Sequence, residues 1–266
     1  MPGLHKVLDG ILRFRTTVRA DLVKQFERVR DNPDPKAVFF TCMDSRMLPA
    51  RFTQSQVGDM FVVRNSGNMI PHAKNYGISG YEVSVTTEPA ALELAVKRGK
   101  INHVIVCGHS DCKAINTLFN LHQCQTKFDP DSPMDHWLRR HGYMSIQKLE
   151  QRLKAESSIK LKFEAENPAL ISLTAIIDPD EKFNTEDKLS QINTLQQLTH
   201  VASHGFLQEF IETGRVFLHA MWFDIYTGNM YMFSKKQEKF LIIDEETAPQ
   251  LTSEVDDEMK QATSKK

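Results

Sequence analysis

Short apolar segments set between turn residues give the first half of the chain its pattern. Residues 37–40 are apolar and aromatic, and the breaker cluster at 32–35 comes directly before them. This arrangement predicts a loop that leads into a buried strand. Residues 59–63 and 103–107 have the same apolar character, so the pattern predicts a strand for each of them.

A helical segment lies between the second and the third of these predicted strands. Pro89 suits a first helical turn, residues 90–98 are rich in alanine and leucine, and Gly99 ends the segment. A strand, a helix and a further strand in this order predict parallel pairing with a crossover. We therefore predict an α/β fold with a central, mainly parallel β-sheet and flanking helices.

The second half of the chain is less regular. Residues 130–187 are polar, with helical charge patterning at 146–162, and we interpret them as a peripheral helical excursion. A long helix is predicted at 188–210, where aliphatic residues recur on one side. Two strand-like segments follow, at 216–223 and 230–233.

The two ends of the chain differ in character from the middle. Residues 4–19 combine apolar positions at helical spacing with mostly basic charges, which is typical of a mitochondrial presequence or of an amphipathic helix that docks on the protein or on a partner subunit. We predict an N-terminal helical arm at 1–30 and a single domain at 31–240. The charged and polar tail, 252–266, is predicted to be disordered.

Composition and charge narrow the class of protein. The formal net charge is −1 and 41% of the residues are hydrophobic, so neither nucleic acid nor a membrane is favoured as a partner. The chain has four cysteines, and no secretory signal pattern follows Met1. We therefore expect an intracellular protein of the mitochondrial matrix or the cytoplasm, with thiols that are free to bind metal.

Two of these thiols and one histidine follow buried strands. Cys42 comes at the end of the first predicted strand, and His109 and Cys112 follow the third. In parallel sheets, ligands bind beyond the carboxyl ends of the strands, so these three side chains can meet. Thiolate and imidazole are the ligands that zinc prefers, and a set of three leaves one coordination position open, as in catalytic zinc sites.

Two charged residues flank the first thiol. Asp44 and Arg46 follow Cys42 at alternate positions, so all three side chains can lie on one side of an extended segment. The pair is either a structural ion pair or part of the chemistry. In the second case Arg46 holds Asp44 as an acceptor for a zinc-bound water, or Asp44 binds zinc itself and closes the open position.

The segments 42–46 and 109–112 read C-M-D-S-R and H-S-D-C, and they resemble the zinc motifs of the beta carbonic anhydrases. Residues 57–65 are similar to the strand and turn that follow in that family, and the resemblance extends over roughly 30–235. The sequence looks most like the animal branch of the family.

The resemblance implies a zinc-dependent lyase, a carbonate dehydratase that hydrates carbon dioxide reversibly to bicarbonate and a proton by zinc-hydroxide attack. It implies one Zn²⁺ per chain, with Cys42, His109 and Cys112 as ligands and Asp44 as a fourth ligand or, with Arg46, as a catalytic group. It also implies a homodimer or a higher even-numbered oligomer, in which N-terminal helices reach onto the neighbouring subunit.

The substrate-pocket residues of the family are matched less completely in this chain. Phe61 matches the family, whereas Ser66 and Leu94 stand where a valine and a tyrosine are usual. Lys113 replaces the glycine that commonly follows the second cysteine. His72 is a candidate proton relay, because the unperturbed pKa of histidine lies near neutrality.

Two alternatives to carbon dioxide hydration are compatible with the sequence. One is a non-catalytic scaffold or bicarbonate sensor that zinc stabilises. The other is a hydrolase of carbon disulfide or a related cumulene on the same fold.

Overall fold

A six-stranded sheet forms the centre of the computed structural model, which describes residues 3–75, 86–124 and 127–263. Its strands are β1 (Ala37–Cys42), β2 (Met60–Asn65), β3 (His103–His109), β6 (Phe217–Phe223), β7 (Met230–Ser234) and β8 (Lys239–Ile242). They lie in the order β2, β1, β3, β6, β7, β8; the first four run parallel and the last two antiparallel. The predicted α/β fold with a mainly parallel central sheet is confirmed.

Helices lie between the strands along the chain and at both of its described ends. The helices are α1 (Gly3–Thr16), α2 (Arg19–Asp31), α3 (Pro49–Phe52), α4 (Thr87–Leu92), α5 (Lys113–Gln123), α6 (Pro133–Leu153), α7 (Thr185–Ala202), α8 (Gly205–Glu212) and α9 (Ala248–Thr263). A π-helical segment, Glu93–Arg98, continues α4. Strands β4 (Lys160–Glu164) and β5 (Ser172–Ile176) form a separate antiparallel pair.

The central strands explain why the metal-binding residues meet. Strands β1 and β3 are neighbours, and their register pairs Thr41 with Cys107. Five of the six residues of β1 are buried, as is typical of a parallel strand covered on both faces. Cys42 ends β1 and His109 ends β3, so both lie at the same edge of the sheet.

Helix α7 is buried along almost its whole length, from Asp187 to Ala202. It packs against β3 and β6, beneath the edge that carries Cys42 and His109. The aliphatic residues predicted on one side are buried, but so are the polar residues on the other side. A helix can be buried in this way only when its polar groups find hydrogen-bond partners.

The helix predicted at 188–210 is in fact two helices. It breaks at His204, which has an extended backbone and precedes the first residue of α8. The His204 ring Nε2 lies 3.0 Å from the main-chain oxygen of Pro71. This buried contact favours a turn where the aliphatic pattern alone indicated continuity.

The prediction of a peripheral helical excursion at 130–187 is wrong in two respects. Helix α6 ends at Leu153, and the charged segment after it forms the strand pair β4 and β5. Alternate residues of these strands, such as Leu161 and Phe163, are buried in the core. Leu149 of α6 is buried as well, so this region is part of the domain and not an appendage.

The tail predicted to be disordered from residue 252 is helical as far as Thr263, and residues 264–266 lie outside the described part. Helix α9 is held by Ser234, whose hydroxyl donates to Glu254 at 2.7 Å. Its packing is close: a Cβ added at Gly214 would lie 2.1 Å from Ala262 Cβ. Contacts across the fold therefore order a segment whose composition favours disorder.

The N-terminal arm consists of α1 and α2, and neither helix contains a buried residue. The arm touches the domain where Val29 packs against Gly58. Within the described residues, no helix has both the length and the apolar character that crossing a bilayer requires.

Candidate metal centre

Three side chains converge at the edge of the sheet where β1 and β3 end. Cys42, His109 and Cys112 each offer a ligand atom, and these atoms all lie within 4.8 Å of one another. The two sulfur atoms are 3.8 Å apart. All three residues are buried, and in the part of the chain that is described they are the one group that meets this criterion. The structure therefore brings together three of the four predicted metal ligands.

The orientation of His109 fits a metal ligand. Its Nδ1 lies 2.8 Å from the main-chain oxygen of Ser110. A carbonyl oxygen can only accept a hydrogen bond, so Nδ1 carries the hydrogen and Nε2 presents a lone pair. Nε2 is buried without a hydrogen-bond partner among the described residues. A bound cation would satisfy this atom.

The thiols also fit a cation. The hydrogen bond from Cys112 is the largest effect on Cys42 and lowers its pKa to about 4, against the opposing effect of burial. The same contact, together with burial, raises the pKa of Cys112 well above its ordinary value. Each thiol therefore affects the ionisation of the other. A bound zinc would take both as thiolates, because the thiolate is the ligand.

Asp44 lies beside this cluster but binds Arg46. Arg46 donates from Nε to Oδ1 at 2.9 Å and from Nη2 to Oδ2 at 2.7 Å, which is the two-point geometry of a strong charge-assisted pair. The Arg46 hydrogen bonds hold the pKa of Asp44 well below its usual range. The structure thus pairs Asp44 with Arg46, which is the geometry of the predicted arrangement in which Arg46 orients Asp44.

A second arginine, which lies outside the two zinc motifs, fixes the backbone of this loop. Arg64 of β2 donates from Nε to the main-chain oxygen of Cys42 at 3.1 Å and from Nη2 to that of Asp44 at 2.6 Å. The loop after β1 is therefore tied to the neighbouring strand. The signal in the sequence was weak, because Arg64 lies 22 residues from Cys42 with only the strand pattern to relate them.

The loop that contains His109 is supported from two sides. The Ser110 hydroxyl donates to Asp224 at 2.8 Å, which ties the end of β3 to the turn after β6. The Ser190 hydroxyl of α7 donates to the main-chain oxygen of His109 at 2.7 Å and accepts from Trp222 Nε1 at 3.1 Å. These groups fix His109 from behind.

Helix α7 also fixes the loop after β2. Asn193 donates to the main-chain oxygen of Gly67 at 3.0 Å, and the Ile70 amide donates to Gln197 at 2.6 Å. Together with Ser190, these residues form a polar stripe at helical spacing along a helix that carries few charges on that side. The spacing of these residues is visible in the sequence, but the groups that they contact are known only from the fold.

Of the three predicted pocket residues, the structure brings Ser66 to the cluster. Ser66 directly follows Asn65, the register partner of Cys42. Phe61 pairs with Val38, four residues before Cys42, which is about 13 Å along the strand. The prediction that Phe61 lines the pocket is therefore not met within one chain.

Leu94 is likewise not part of the cluster. It is 52% exposed on the π-helical segment that leads to the start of β3, whereas His109 is at the end of that strand. Its side chain is directed to the surface, because the buried positions of this turn are Ala95 and Val96.

His72 belongs to a group of histidines rather than to the metal cluster. Its ring packs edge-on against the ring of His200, with the centroids 5.3 Å apart. Burial lowers the pKa of His72. It also lowers the pKa of His200 to about 3. These environments favour neutral, structural histidines and do not support the predicted proton relay.

Comparison with known proteins agrees with this geometry. The sequence model of the family described as Carbonic anhydrase matches residues 37–230. Beta carbonic anhydrase 1 of Caenorhabditis elegans is 61% identical over 252 residues, which cover 95% of this chain and 93% of that protein. A Caenorhabditis briggsae protein of the same name is 58% identical, with the same coverage.

Solved structures show the same fold. The beta-carbonic anhydrase CcaA superimposes with a TM-score of 0.69 and 26% identity, covering 91% of this chain and 92% of that one. One chain from the crystal structures of two tetrameric beta-carbonic anhydrases of Sordaria macrospora gives a TM-score of 0.61 with 18% identity, covering 88% of this chain and 98% of that one. The second match supports the fold alone.

A buried Cys-His-Cys cluster thus lies at the carboxyl edge of a parallel sheet, the family model matches most of the domain, and a relative is 61% identical. The chain belongs to the beta class of the carbonic anhydrases, zinc-dependent lyases that interconvert carbon dioxide and bicarbonate.

Proposed function

We propose that Cys42, His109 and Cys112 bind the zinc ion of this carbonic anhydrase and that Asp44, held by Arg46, orients the attacking water. When bound, zinc acts as a Lewis acid that acidifies water and so provides the nucleophile for carbon dioxide. The observation that carries the proposal is the two-point Arg46–Asp44 pair beside a buried three-ligand cluster.

Charge explains why Asp44 is needed. Two thiolates neutralise the formal charge of Zn²⁺, so a water at this site is acidified less than at a site with three neutral histidines. Asp44 can compensate because its carboxylate remains ionised and accepts a hydrogen bond from the water. A purely structural zinc site has four protein ligands and needs no such pair, which argues against the scaffold alternative.

Loss of either member of the pair is expected to lower activity while zinc is retained. For Asp44→Asn and Arg46→Ala we expect kcat/KM for carbon dioxide hydration to fall roughly 10- to 100-fold, the usual effect of losing a group that supports a metal site. The measurement is stopped-flow hydration, with zinc quantified in each preparation.

The matched control is Asp257→Asn. Asp257 lies on α9, far along the chain from the metal ligands, and the substitution breaks its exposed ion pair with Lys236. It should keep both zinc and activity. Full activity in Asp44→Asn and in Arg46→Ala would remove their proposed roles. A zinc-loaded wild-type protein that hydrolyses carbon disulfide but does not hydrate carbon dioxide would favour the cumulene hydrolase.

We further propose that two chains pair through the N-terminal arm. Apolar side chains of α1 are exposed, including Leu8 at 49% and Ile11 at 52%. The edge strand β2 exposes Phe61 at 39% and Val62 at 43%. Exposed apolar side chains grouped on a helix and on an edge strand mark a protein interface, and a second copy of the chain would cover them.

The expected result for the arm is that Leu8→Glu weakens self-association. A charge at the centre of the apolar stripe should raise the dimer dissociation constant at least tenfold, because burying a leucine is worth about 1.5–3 kcal/mol. Analytical ultracentrifugation measures it, with Lys6→Glu on the opposite face of α1 as the control. A wild-type monomer, or a Leu8→Glu variant that assembles normally, would contradict the proposal.

This role places the arm in the mature protein and disfavours its use as a removable presequence. Of the two predicted compartments, the mitochondrial matrix and the cytoplasm, we therefore propose the cytoplasm. Imaging the chain with and without residues 1–20 distinguishes them. We expect a cytoplasmic distribution that the deletion does not change. Loss of mitochondrial import on deletion would instead support the presequence interpretation.

A further inference from the structure

The Arg46 guanidinium is held by two aspartates, and only one of them belongs to its own loop. One edge of the guanidinium binds both carboxylate oxygens of Asp44. At the other edge, Nη1 donates to Asp111 Oδ2 at 2.8 Å and Nη2 donates to the main-chain oxygen of Asp111 at 2.9 Å. One carboxylate is sufficient for a two-point arginine pair, so the second anchor calls for its own explanation.

Asp111 is itself fixed by two helices. Its φ of 49° is in the left-handed region, which aspartate and asparagine tolerate better than most residues. Its amide donates at 2.7 Å to the buried carboxylate of Asp187, in the first turn of α7. Its Oδ1 accepts from Lys113 at 2.8 Å and from Asn116 at 3.3 Å, both on α5.

We propose that Asp111 is a positioning residue for the reaction, which holds Arg46 in the plane where it binds both oxygens of Asp44. The inference rests on the proposed roles of Asp44 and Arg46. The Arg46 side chain is 37% exposed, so without an anchor it would have the rotamer freedom of a surface arginine. With Nη1 on Asp111, Arg46 stays in place, and Asp44 keeps its partner on the side away from the cluster.

The charge of Asp111 acts in the opposite direction. A second carboxylate on the guanidinium weakens the attraction that Arg46 exerts on Asp44. The ammonium of Lys113 offsets part of this negative charge, although the Lys113 side chain is 74% exposed and therefore screened by solvent. The hydrogen bonds from Arg46 to Asp111 are less open to solvent, because the Asp111 side chain is only 18% exposed. We therefore expect the positioning of Arg46 by these bonds to outweigh the weakened attraction between Arg46 and Asp44.

Two substitutions separate the effect of losing the Asp111 carboxylate from the effect of straining the backbone at this position. Asp111→Gly removes the carboxylate and keeps a residue that adopts positive φ freely, and Asp111→Asn keeps both an oxygen acceptor and tolerance of the left-handed region. We expect Asp111→Gly to lower kcat about tenfold or more with zinc content retained and KM changed less. Asp111→Asn should keep most of the wild-type kcat.

A second readout does not depend on turnover. In the cobalt-substituted protein, the visible spectrum reports the number and type of metal ligands. Asp111→Gly is expected to change this spectrum, because a released Asp44 can reach the metal. The double variant Asp111→Gly/Asp44→Asn should return it to that of Asp44→Asn. A general loosening of the fold would not be reversed in this way.

The decisive test is a double-mutant cycle with Arg46→Ala. If Asp111 acts through Arg46, then Asp111→Gly should change kcat by less than about twofold in the Arg46→Ala background. If Asp111→Gly binds no zinc, the same cycle is run with Asp111→Ala, which also removes the carboxylate. Equal fold losses in both backgrounds, or an unchanged kcat and cobalt spectrum in Asp111→Gly, would overturn the inference.

The cycle also separates this inference from the proposed function. A low kcat in Arg46→Ala combined with independent effects of the two sites overturns the role of Asp111 alone. A wild-type kcat in Arg46→Ala overturns the proposed role of Arg46 and this inference with it.

Discussion

Replacing Cys112 with alanine is expected to abolish zinc binding and carbon dioxide hydration together. Cys112 is 1% exposed and its sulfur lies 3.8 Å from that of Cys42, and among the described residues the cluster contains no further ligand besides His109. Its removal leaves His109 Nε2 and one thiol, which cannot complete a three-ligand set. The loss of zinc affinity should exceed about a hundredfold, the upper end for a lost outer-shell partner.

Cys107→Ala is the matched control for this prediction. Cys107 is also fully buried and lies in β3, two residues before His109. It is outside the cluster, and burial raises the pKa of its thiol. We expect Cys107→Ala to keep one zinc per chain and most of the activity. Elemental analysis and stopped-flow hydration of both variants are required, and a zinc-loaded, active Cys112→Ala protein would exclude Cys112 as a ligand.

The metal ligands could be predicted from the sequence because one rule of sheet geometry relates them. Cys42 and His109 end neighbouring parallel strands, and the ends of such strands meet at one edge of the sheet. The short spacing from His109 to Cys112 requires only the turn at Asp111. Local patterns of apolar residues were sufficient for this, since both strands are buried on two faces.

The supports of the site could not be predicted in the same way. Ser190, Asn193 and Gln197 are uncharged polar residues on a helix whose aliphatic residues suggested an ordinary amphipathic pattern. Their importance depends on what α7 packs against, which the sequence of the helix does not contain. The positions of Phe61 and Leu94 could not be predicted either. Similarity to a family motif does not show whether a matched residue lies near the metal ligands of its own chain.

Composition was also a poor guide where long-range contacts decide the structure. The polar segment after α6 forms strands because alternate residues, such as Leu161 and Phe163, reach the core. The charged tail is helical because Glu254 and Ala262 dock on distant parts of the fold. Both errors have one cause. The average polarity of a segment does not show that a few of its apolar or small residues pack against elements that are distant in the sequence.

The glycine before His109 gives the strongest expected effect on the fold of the site. A Cβ added at Gly108 would lie 2.2 Å from Thr194 Oγ1 and 3.2 Å from both Ser190 Oγ and Trp222 Cδ1. The backbone of β3 therefore approaches α7 so closely that only glycine fits. The same α7 residue, Ser190, holds the main-chain oxygen of His109, so a displaced helix would also displace a ligand.

Gly108→Ala is accordingly expected to lower the free energy of unfolding by about 1–3 kcal/mol, the usual cost of overpacking, and to lower zinc occupancy. Adding Thr194→Ala should restore part of both losses, because it removes the shortest contact and Thr194 Oγ1 donates only to a carbonyl within its own helix. Chemical denaturation and zinc analysis measure the two effects.

The control is Gly10→Ala on α1, where an added Cβ would meet nothing closer than Arg13 Nη2 at 3.8 Å. There, alanine should leave stability unchanged or raise it by up to about 1 kcal/mol, as its helix propensity predicts. A Gly108→Ala protein as stable and as rich in zinc as the wild type would show that α7 can retreat from β3 without cost. The support of His109 would then have to come mainly from Ser110 and its bond to Asp224 rather than from the helix.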